Sequence, residues 1–225
     1  MSQAPPLELG PAYRRSRLRL AELVGSLPDA KAVPVPACPG WSAHDMIGHL
    51  TAVAEDALAG TLKGPPTPEQ AAAQVARRAS RSTEEALADW AGVGPDLEEM
   101  LGSVPVFAAV MDVVAHEQDV RGAADRPGFR DDPDLVTMSR MLLGRMNLPV
   151  PVRVVSGDDV FEIGPRSEGG SHEVIGLETD PWEVFRFRFG RRSRAQLEAL
   201  RWTGDPSPVL DHLVIFGPSP QDIIE

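Results

Sequence analysis

The sequence contains a single cysteine, Cys38, among 225 residues. One thiol excludes an internal disulfide framework and a zinc cage built from cysteines. The chain also lacks any apolar run near the roughly 20 residues that cross a bilayer, and its first residues contain no apolar stretch of the signal-peptide kind. We therefore expect a soluble cytoplasmic protein without a membrane partner.

Basic residues are fewer than acidic ones. The chain has 22 lysines and arginines and 33 aspartates and glutamates, which gives a formal net charge of −11. A negative field repels phosphate backbones, so this balance disfavours nucleic-acid binding and leaves a small molecule as the expected partner. Lysine occurs twice and asparagine once. Because the codons of both are rich in A and T, the composition is a hint of a high-GC genome.

Most short motifs of common enzyme classes are missing. The chain has no GxxxxGK[ST], GxSxG, GxGxxG or CxxC pattern. His116 and Glu117 begin like the zinc motif HExxH, but position 120 is valine, so that motif fails. These absences exclude a P-loop NTPase, an α/β-hydrolase and a dinucleotide-binding fold.

The composition changes near residue 149, and this change predicts two domains. Before it, apolar residues recur at helical spacing; after it, VPVRVVSGDDVFEIG reads as two short strands joined at Gly157-Asp158-Asp159. We predict an α+β protein, with an antiparallel helical bundle at residues 1–148 and a small α+β domain at 149–225.

Helix signals divide the first domain at prolines, glycines and caps. Ser42 and Asp45 form a capping-box pattern at the start of the second helix, and Asp180-Pro181 starts a helix that ends at Gly190. The predicted bundle helices span about 11–27, 42–62, 68–102 with a break near 92–95, 105–125 and 132–146. Later strands are expected near 173–178 and 200–203.

Three polar residues line up in an otherwise apolar helix. Asp112 and His116 are four residues apart and share a face, and Asp119 follows on nearly the same line. In the second helix, His49 lies among apolar residues, whereas His44 is expected to point to solvent. In a bundle, His49 and the Asp112–His116 pair could meet in the interior.

Two imidazoles and one carboxylate leave one position open on a tetrahedral ion, which is the ligand count of catalytic zinc sites. Iron, nickel or manganese would suit the same donors. The alternative is purely structural: Asp112 and His116 form a helical hydrogen bond, and His49 is a core histidine with its hydrogen bonds satisfied. The spacing alone leaves both interpretations open.

Two motifs resemble a known family. VPACPGWSAHDMIGHL and MDVVAHEQDVRGA are similar to the two signatures of the mycothiol-dependent maleylpyruvate isomerase family, whose bundle is related to DinB-like proteins. The later segment DPWEVFRFRFGRRS, followed by Trp202-Thr203-Gly204-Asp205, is similar to the sterol-carrier-like C-terminal domain of that family. The resemblance implies a DinB-like bundle followed by a small sterol-carrier-like domain.

The resemblance also implies a divalent metal, usually zinc, bound by His49, Asp112 and His116, with mycothiol as the thiol cofactor. Asp112 departs from the pattern, because several members have glutamate there, and the shorter side chain requires a closer helix or a shifted ion. Asp119 is expected to orient a ligand histidine from outside the ligand set; its alternative is a salt bridge to Arg121 or to another charge of the bundle.

The function implied is that of an isomerase or S-transferase that activates a thiolate on the metal. Arg191 and Arg192 are candidates to bind a carboxylate of substrate or cofactor, with a solvated helix end as the alternative. Cys38 is expected to be a buried structural thiol. Two other functions stay open: a non-catalytic metal- or ligand-binding protein on the same scaffold, and a metal-dependent hydrolase. The sequence does not specify the oligomeric state.

Overall fold

A computed structural model describes residues 7–62, 64–165 and 174–225. The helices and strands, in chain order, are α1 (Leu9–Gly25), α2 (Ala43–Leu58), α3 (Pro68–Ala76), α4 (Thr83–Ser103), α5 (Phe107–Ala123), α6 (Pro133–Gly144), β1 (Val152–Ser156), β2 (Asp159–Ile163), β3 (Ile175–Thr179), α7 (Pro181–Arg188), α8 (Arg194–Glu198) and β4 (Arg201–Thr203). Short 3₁₀ turns cover Ala30–Ala32 and Leu210–His212. The α+β fold class is therefore confirmed.

The chain forms two compact units, residues 1–128 with Glu225 and residues 129–224. In the first unit, α1 and α2 each pack against α4 and α5, and α3 covers α2. Each of these four long helices contributes buried apolar side chains, such as Leu20, Met46, Trp90 and Val113. Burial of one such side chain contributes roughly 1.5–3 kcal/mol, so the bundle interior is the main source of stability for this unit.

Capping fixes where the bundle helices begin. At the start of α2, the Ser42 hydroxyl accepts from the backbone N–H of Asp45, and the Asp45 carboxylate accepts from the backbone of Ser42. This capping box is the one predicted, and it satisfies two of the N–H groups that a helix start leaves without partners. Since it sets the phase of α2, it also sets the direction of every side chain along that helix.

The predicted break near residue 92 is wrong in its position. The helix α4 runs without interruption through Gly92, Gly94 and Pro95, and the real break lies between α3 and α4. Ser82 and Glu85 form a capping box that restarts the chain as α4. This capping signal is present in the sequence, and it marks the break where the Gly–Pro cluster at 92–95 does not.

The second unit is a mixed four-stranded sheet with helices packed on it. The strand order is β2-β1-β3-β4, with β1 and β3 parallel and the two outer pairs antiparallel. The predicted hairpin at Gly157 is present, and this glycine has φ = +58°, a conformation that favours glycine. The predicted helix at Pro181 is α7, capped by Asp180. Of the expected third strand, residue 173 lies outside the described residues.

The helix α6 belongs with the sheet rather than with the bundle. It packs against α7 and β2, and Leu143, Met146 and Leu148 share a buried apolar cluster with the sheet residues Val154 and Leu177. The compact units thus divide after Gly128, whereas the sequence divides the domains after residue 148. That assignment of domains stays a prediction.

No helix in the described ranges is both long enough and apolar enough to cross a membrane.

Candidate metal centre

The interior of the first unit brings His49, Asp112 and His116 together, although α2 and α5 are far apart in sequence. One ligand-type atom from each of the three lies within 4.8 Å of the others. His49 Nε2 is 3.5 Å from Asp112 Oδ2, and His116 Nε2 is 3.4 Å from Asp112 Oδ1. Two nitrogen or oxygen ligands of a tetrahedral zinc ion lie about 3.4 Å apart, given bonds near 2.0–2.2 Å. At these distances the shorter aspartate reaches both imidazoles.

The three side chains differ in how far they are buried. The side chains of His49 and His116 are 3% and 8% exposed, whereas 28% of the Asp112 side chain is exposed. The imidazoles therefore form the closed side of the cluster, and the carboxylate lies on its open side. A ligand arriving from solvent would reach the cluster beside Asp112.

Two buried polar atoms of the cluster have no hydrogen-bond partner within the described part of the chain: Asp112 Oδ2 and His49 Nδ1. A buried carboxylate oxygen without a hydrogen bond is costly unless a cation or another donor satisfies it. The oxygen of Asp112 faces an imidazole nitrogen across 3.5 Å, a spacing that suits a shared ion better than a direct hydrogen bond. The donor set of two nitrogens and one oxygen fits zinc and related divalent ions.

The ionisation of this cluster is strongly coupled. Burial alone would raise the pKa of Asp112, but the neighbouring imidazoles of His116 and His49 lower it well below its usual range. Burial alone would lower the pKa of His116, but Asp112, Asp119 and Cys38 together raise it well above its usual value. The site thus stabilises a positive charge between its carboxylates, which is the charge that a proton on His116 or a metal cation would carry.

Asp119 holds the far side of the His116 ring. Its Oδ2 lies 2.9 Å from His116 Nδ1, and its side chain is fully buried. When Nδ1 carries the proton and donates to Asp119, the lone pair of Nε2 faces Asp112 and His49. The alternative partner named for Asp119, Arg121, directs its Nε to Glu117 at 3.0 Å.

The flanking histidine does not behave as expected. His44 is buried, with Nδ1 3.2 Å from the hydroxyl of Thr83 and Nε2 3.3 Å from the backbone carbonyl of Arg78. The prediction that it points to solvent is wrong, because the turn before α4 covers that face of α2. His44 holds the helices together and is not part of the candidate metal cluster.

Sequence reasoning missed the position of Cys38 and Trp41. The Trp41 ring centroid lies 5.1 Å from that of His49. Cys38 Sγ lies 3.9 Å from His116 Nδ1 and 3.8 Å from Asp119 Oδ2. The sequence predicts a buried structural thiol, whereas the residue is half-buried and lies beside the candidate cluster. Its position depends on how the proline-rich loop folds back, which no periodicity reveals.

The arginine candidates lie in the second unit. Arg192 is 7% exposed and makes two hydrogen bonds, of 2.7 and 2.8 Å, to the carboxylate of Glu183. Arg191 donates to the backbone carbonyl of Phe189 at 2.7 Å. A role for either arginine in binding an anionic ligand stays a prediction.

A helical bundle with a His–Asp–His cluster in its interior resembles the bundles that build metal sites from side chains of facing helices. Residues 13–110 match the family model described as the mycothiol maleylpyruvate isomerase N-terminal domain. This match confirms the resemblance over the N-terminal part of the chain and includes the first of the two motifs. The match includes His49 and ends just before Asp112.

Two solved structures share the fold. One is the crystal structure of the mycothiol-dependent maleylpyruvate isomerase, with a TM-score of 0.51 and 14% sequence identity, covering 83% of this chain and 90% of the other. The second is a histidine-to-alanine mutant of a protein with the same description, with a TM-score of 0.50, 12% identity and the same coverage. At such low identity the likeness establishes the fold alone. No curated protein matches the sequence.

Proposed function

We propose that the protein is a divalent-metal-dependent and mycothiol-dependent isomerase or S-transferase, with zinc the preferred ion and His49, Asp112 and His116 its ligands. The convergence of these three side chains carries the proposal. The family of the N-terminal part supports mycothiol as the thiol and a small molecule of the maleylpyruvate type as the substrate.

A divalent cation in this cluster would stabilise a thiolate relative to the neutral thiol. The three side chains carry one negative charge when both imidazoles are neutral, so they leave a divalent ion with excess positive charge. A tetrahedral ion would take a fourth ligand besides these three, and the cluster is most exposed beside Asp112. Charge and exposure therefore both favour the approach of an anionic sulfur from that side.

The remaining residues position the ligands. Asp119 keeps the proton of His116 on Nδ1, so that the lone pair of Nε2 is directed at the cluster. The capping box of α2 and the ring of Trp41 fix the position of His49. Because Asp119 is buried and the start of α2 is capped, the ligand atoms need little rearrangement to bind an ion.

The isomerase reaction needs no net change in the thiol. A thiolate adds to a conjugated double bond, forming a C–S bond; rotation about the resulting single bond follows, and elimination breaks the C–S bond and restores the double bond. An S-transferase would instead keep the conjugate. Arg191 is our candidate to hold a substrate carboxylate.

The test is metal analysis of the purified protein, followed by an assay with maleylpyruvate and mycothiol. We expect one divalent ion per chain, its loss in His49→Ala and His116→Ala, and turnover only with the thiol. His44→Ala is the matched control, since it removes a buried imidazole from the same helix but outside the cluster, and should keep the ion.

Other outcomes separate the alternatives. Stoichiometric metal with turnover that is indifferent to the thiol would favour the hydrolase. Stoichiometric metal without turnover of any conjugated acid would favour a binding protein. Absence of a stoichiometric ion, even after saturation with zinc, would overturn the metal-dependent proposal.

A further inference from the structure

The opposite side of the His116 ring carries a second set of ligand atoms. Cys38 Sγ, His116 Nδ1 and a carboxylate oxygen of Asp119 lie within 4.8 Å of one another. We propose that these three atoms form a second cation site, for a soft thiophilic ion such as Cd²⁺ or Cu⁺, and that its occupation excludes an ion from the His49–Asp112–His116 cluster.

The distances are close to those that a bound ion requires. With zinc-like bonds of about 2.3 Å to sulfur and about 2.0–2.2 Å to nitrogen and oxygen, ligand atoms of a tetrahedral ion lie about 3.4–3.6 Å apart. The separations here are 3.9 Å from Sγ to Nδ1, 3.8 Å from Sγ to Asp119 Oδ2, and 2.9 Å from Nδ1 to Oδ2. Shifts of a few tenths of an ångström would bring all three into bonding positions.

The loop that carries Cys38 holds the thiol in place. The backbone N–H of Cys38 donates to the carbonyl of Val35, and its carbonyl accepts from the N–H of Trp41, at 2.9 and 3.0 Å. The N–H of Val35 donates in turn to the carbonyl of Trp41 at 2.9 Å, which closes the loop on itself. Cys38 is half-buried, and this loop fixes its sulfur beside the ring of His116.

The softness of the donors selects the ion. The first cluster offers nitrogen and oxygen, which suit zinc, iron, nickel and manganese. The second adds a thiolate, and thiolates select soft ions such as Cu⁺. Binding there replaces the S–H bond of Cys38 by a bond from sulfur to the cation, and the thiol proton passes to solvent.

Exclusion follows from the chemistry of one imidazole ring. A neutral imidazole has one lone pair and one N–H, so it can be a ligand through Nε2 or through Nδ1 but not through both. An ion on Nε2 leaves the proton on Nδ1, facing Asp119. An ion on Nδ1 moves the proton to Nε2, where it faces Asp112 Oδ1 at 3.4 Å. The two sites therefore compete for His116, and a soft ion at the second would inhibit chemistry at the first.

The test is a titration of the metal-free protein with Cd²⁺, followed by the ultraviolet charge-transfer band of a cadmium–thiolate bond and by calorimetry for the stoichiometry. We expect one Cd²⁺ per chain with a thiolate band in the wild type. His49→Ala should keep the full band, because it removes a ligand of the first cluster only. Cys38→Ser should lose the band.

A second arm tests exclusion with the zinc-loaded protein. We expect Cd²⁺ to release zinc into a chelating dye, and we expect Cys38→Ser and Cys38→Ala to need at least about tenfold more Cd²⁺ for the same release. A wild type without the thiolate band would overturn the second site. Retention of both ions at once, or zinc release unchanged in both cysteine variants, would overturn the competition.

The His49→Ala protein keeps Cys38, so its cadmium–thiolate band tests the second site even if Cys38→Ser and Cys38→Ala do not fold. It is also separate from the proposed function, since a protein that fails to turn over maleylpyruvate could still show cadmium–thiolate binding.

Discussion

The Asp119 carboxylate lies 2.9 Å from His116 Nδ1, on the side of the ring opposite to Asp112. One histidine is thus held between two carboxylates, one directed at the candidate metal position and one directed away from it. Outer carboxylates of this kind fix the tautomer of a ligand histidine and increase its basicity. The contact therefore predicts that Asp119 affects metal affinity without touching the ion.

Asp119→Asn should lower zinc affinity by about 10–100-fold, because the neutral amide keeps the size of the side chain but loses the charge that supports His116. Competition with a chromogenic chelator measures the change. Asp96→Asn, an exposed aspartate of α4, is the control and should leave the affinity unchanged. Equal affinities of Asp119→Asn and the wild type would show that the contact is only structural.

Asp112 should tolerate glutamate but not alanine. Asp112→Ala removes the only charged ligand of the proposed set, so zinc affinity should fall by more than the roughly 100-fold that an outer carboxylate can cost. Asp112→Glu lengthens the side chain on the partly exposed side of the cluster and should keep stoichiometric zinc. Metal content after dialysis distinguishes the two variants. Full zinc in Asp112→Ala would remove this residue from the ligand set.

Metal binding should also stabilise the fold. A ligand that binds the native state alone adds RT ln(1 + [L]/Kd), about 2.7 kcal/mol at a free concentration 100 times Kd. We expect zinc to raise the melting temperature of the wild type and of His44→Ala, and to leave His49→Ala unchanged. Calorimetric scans with and without a chelator provide the measurement. An equal zinc-dependent rise in His49→Ala would mean that the ion binds elsewhere.

Much of this site could be predicted from the sequence, because helical periodicity is a local property. The spacing of Asp112, His116 and Asp119 places them on one side of α5 whatever the helix packs against. The meeting with His49 required the further prediction of an antiparallel bundle, which rested on helices with apolar faces and short joins.

The positions of His44 and Cys38 could not be predicted from residue spacing, because they depend on contacts between distant parts of the chain. His44 is buried because the turn between α3 and α4 lies over it. The sequence pattern indicates a break near 92–95 instead, so it does not predict this contact. Cys38 reaches His116 because its loop, which three backbone hydrogen bonds close on itself, lies beside that residue of α5. The burial of His44 and the position of Cys38 both depend on tertiary packing, which overrides local sequence preferences in helices and in loops.

A buried charge network beside the site should be important for stability. Glu117 is fully buried and accepts hydrogen bonds from Ser16 at 2.7 Å, from Arg19 at 2.9 Å and from Arg121 at 3.0 Å. Removing one partner of a buried ion pair leaves the others without compensation and costs about 3–5 kcal/mol. Glu117→Ala should lower the free energy of unfolding by about that amount.

Urea denaturation of the metal-free proteins measures the free energy of unfolding. Because no metal is present, a change in metal binding by the neighbouring His116 does not contribute. Glu99→Ala, at an exposed position of α4, is the control and should change stability by less than about 0.5 kcal/mol. A similarly small effect of Glu117→Ala would show that the guanidinium groups of Arg19 and Arg121 find other partners.

Two glycines two residues apart in α4 should respond in opposite directions to the same substitution. A methyl group on Gly94 would lie 2.5 Å from Nε and 2.8 Å from Cζ of Arg17, whose guanidinium is held by Glu98 at 2.7 Å. A methyl group on Gly92 would meet nothing within 4 Å. The first glycine is required by close packing of α1 on α4, and the second is free of that constraint.

Gly94→Ala should therefore destabilise the protein by about 1–3 kcal/mol, since overpacking outweighs the better helix propensity of alanine. Gly92→Ala should stabilise it by about 0.4–1 kcal/mol, because alanine restricts the unfolded chain at no steric cost. Chemical denaturation of both variants measures the difference. Stabilisation by Gly94→Ala would show that Arg17 can move aside, and α1 would then pack less tightly on α4 than its contacts with Glu98 indicate.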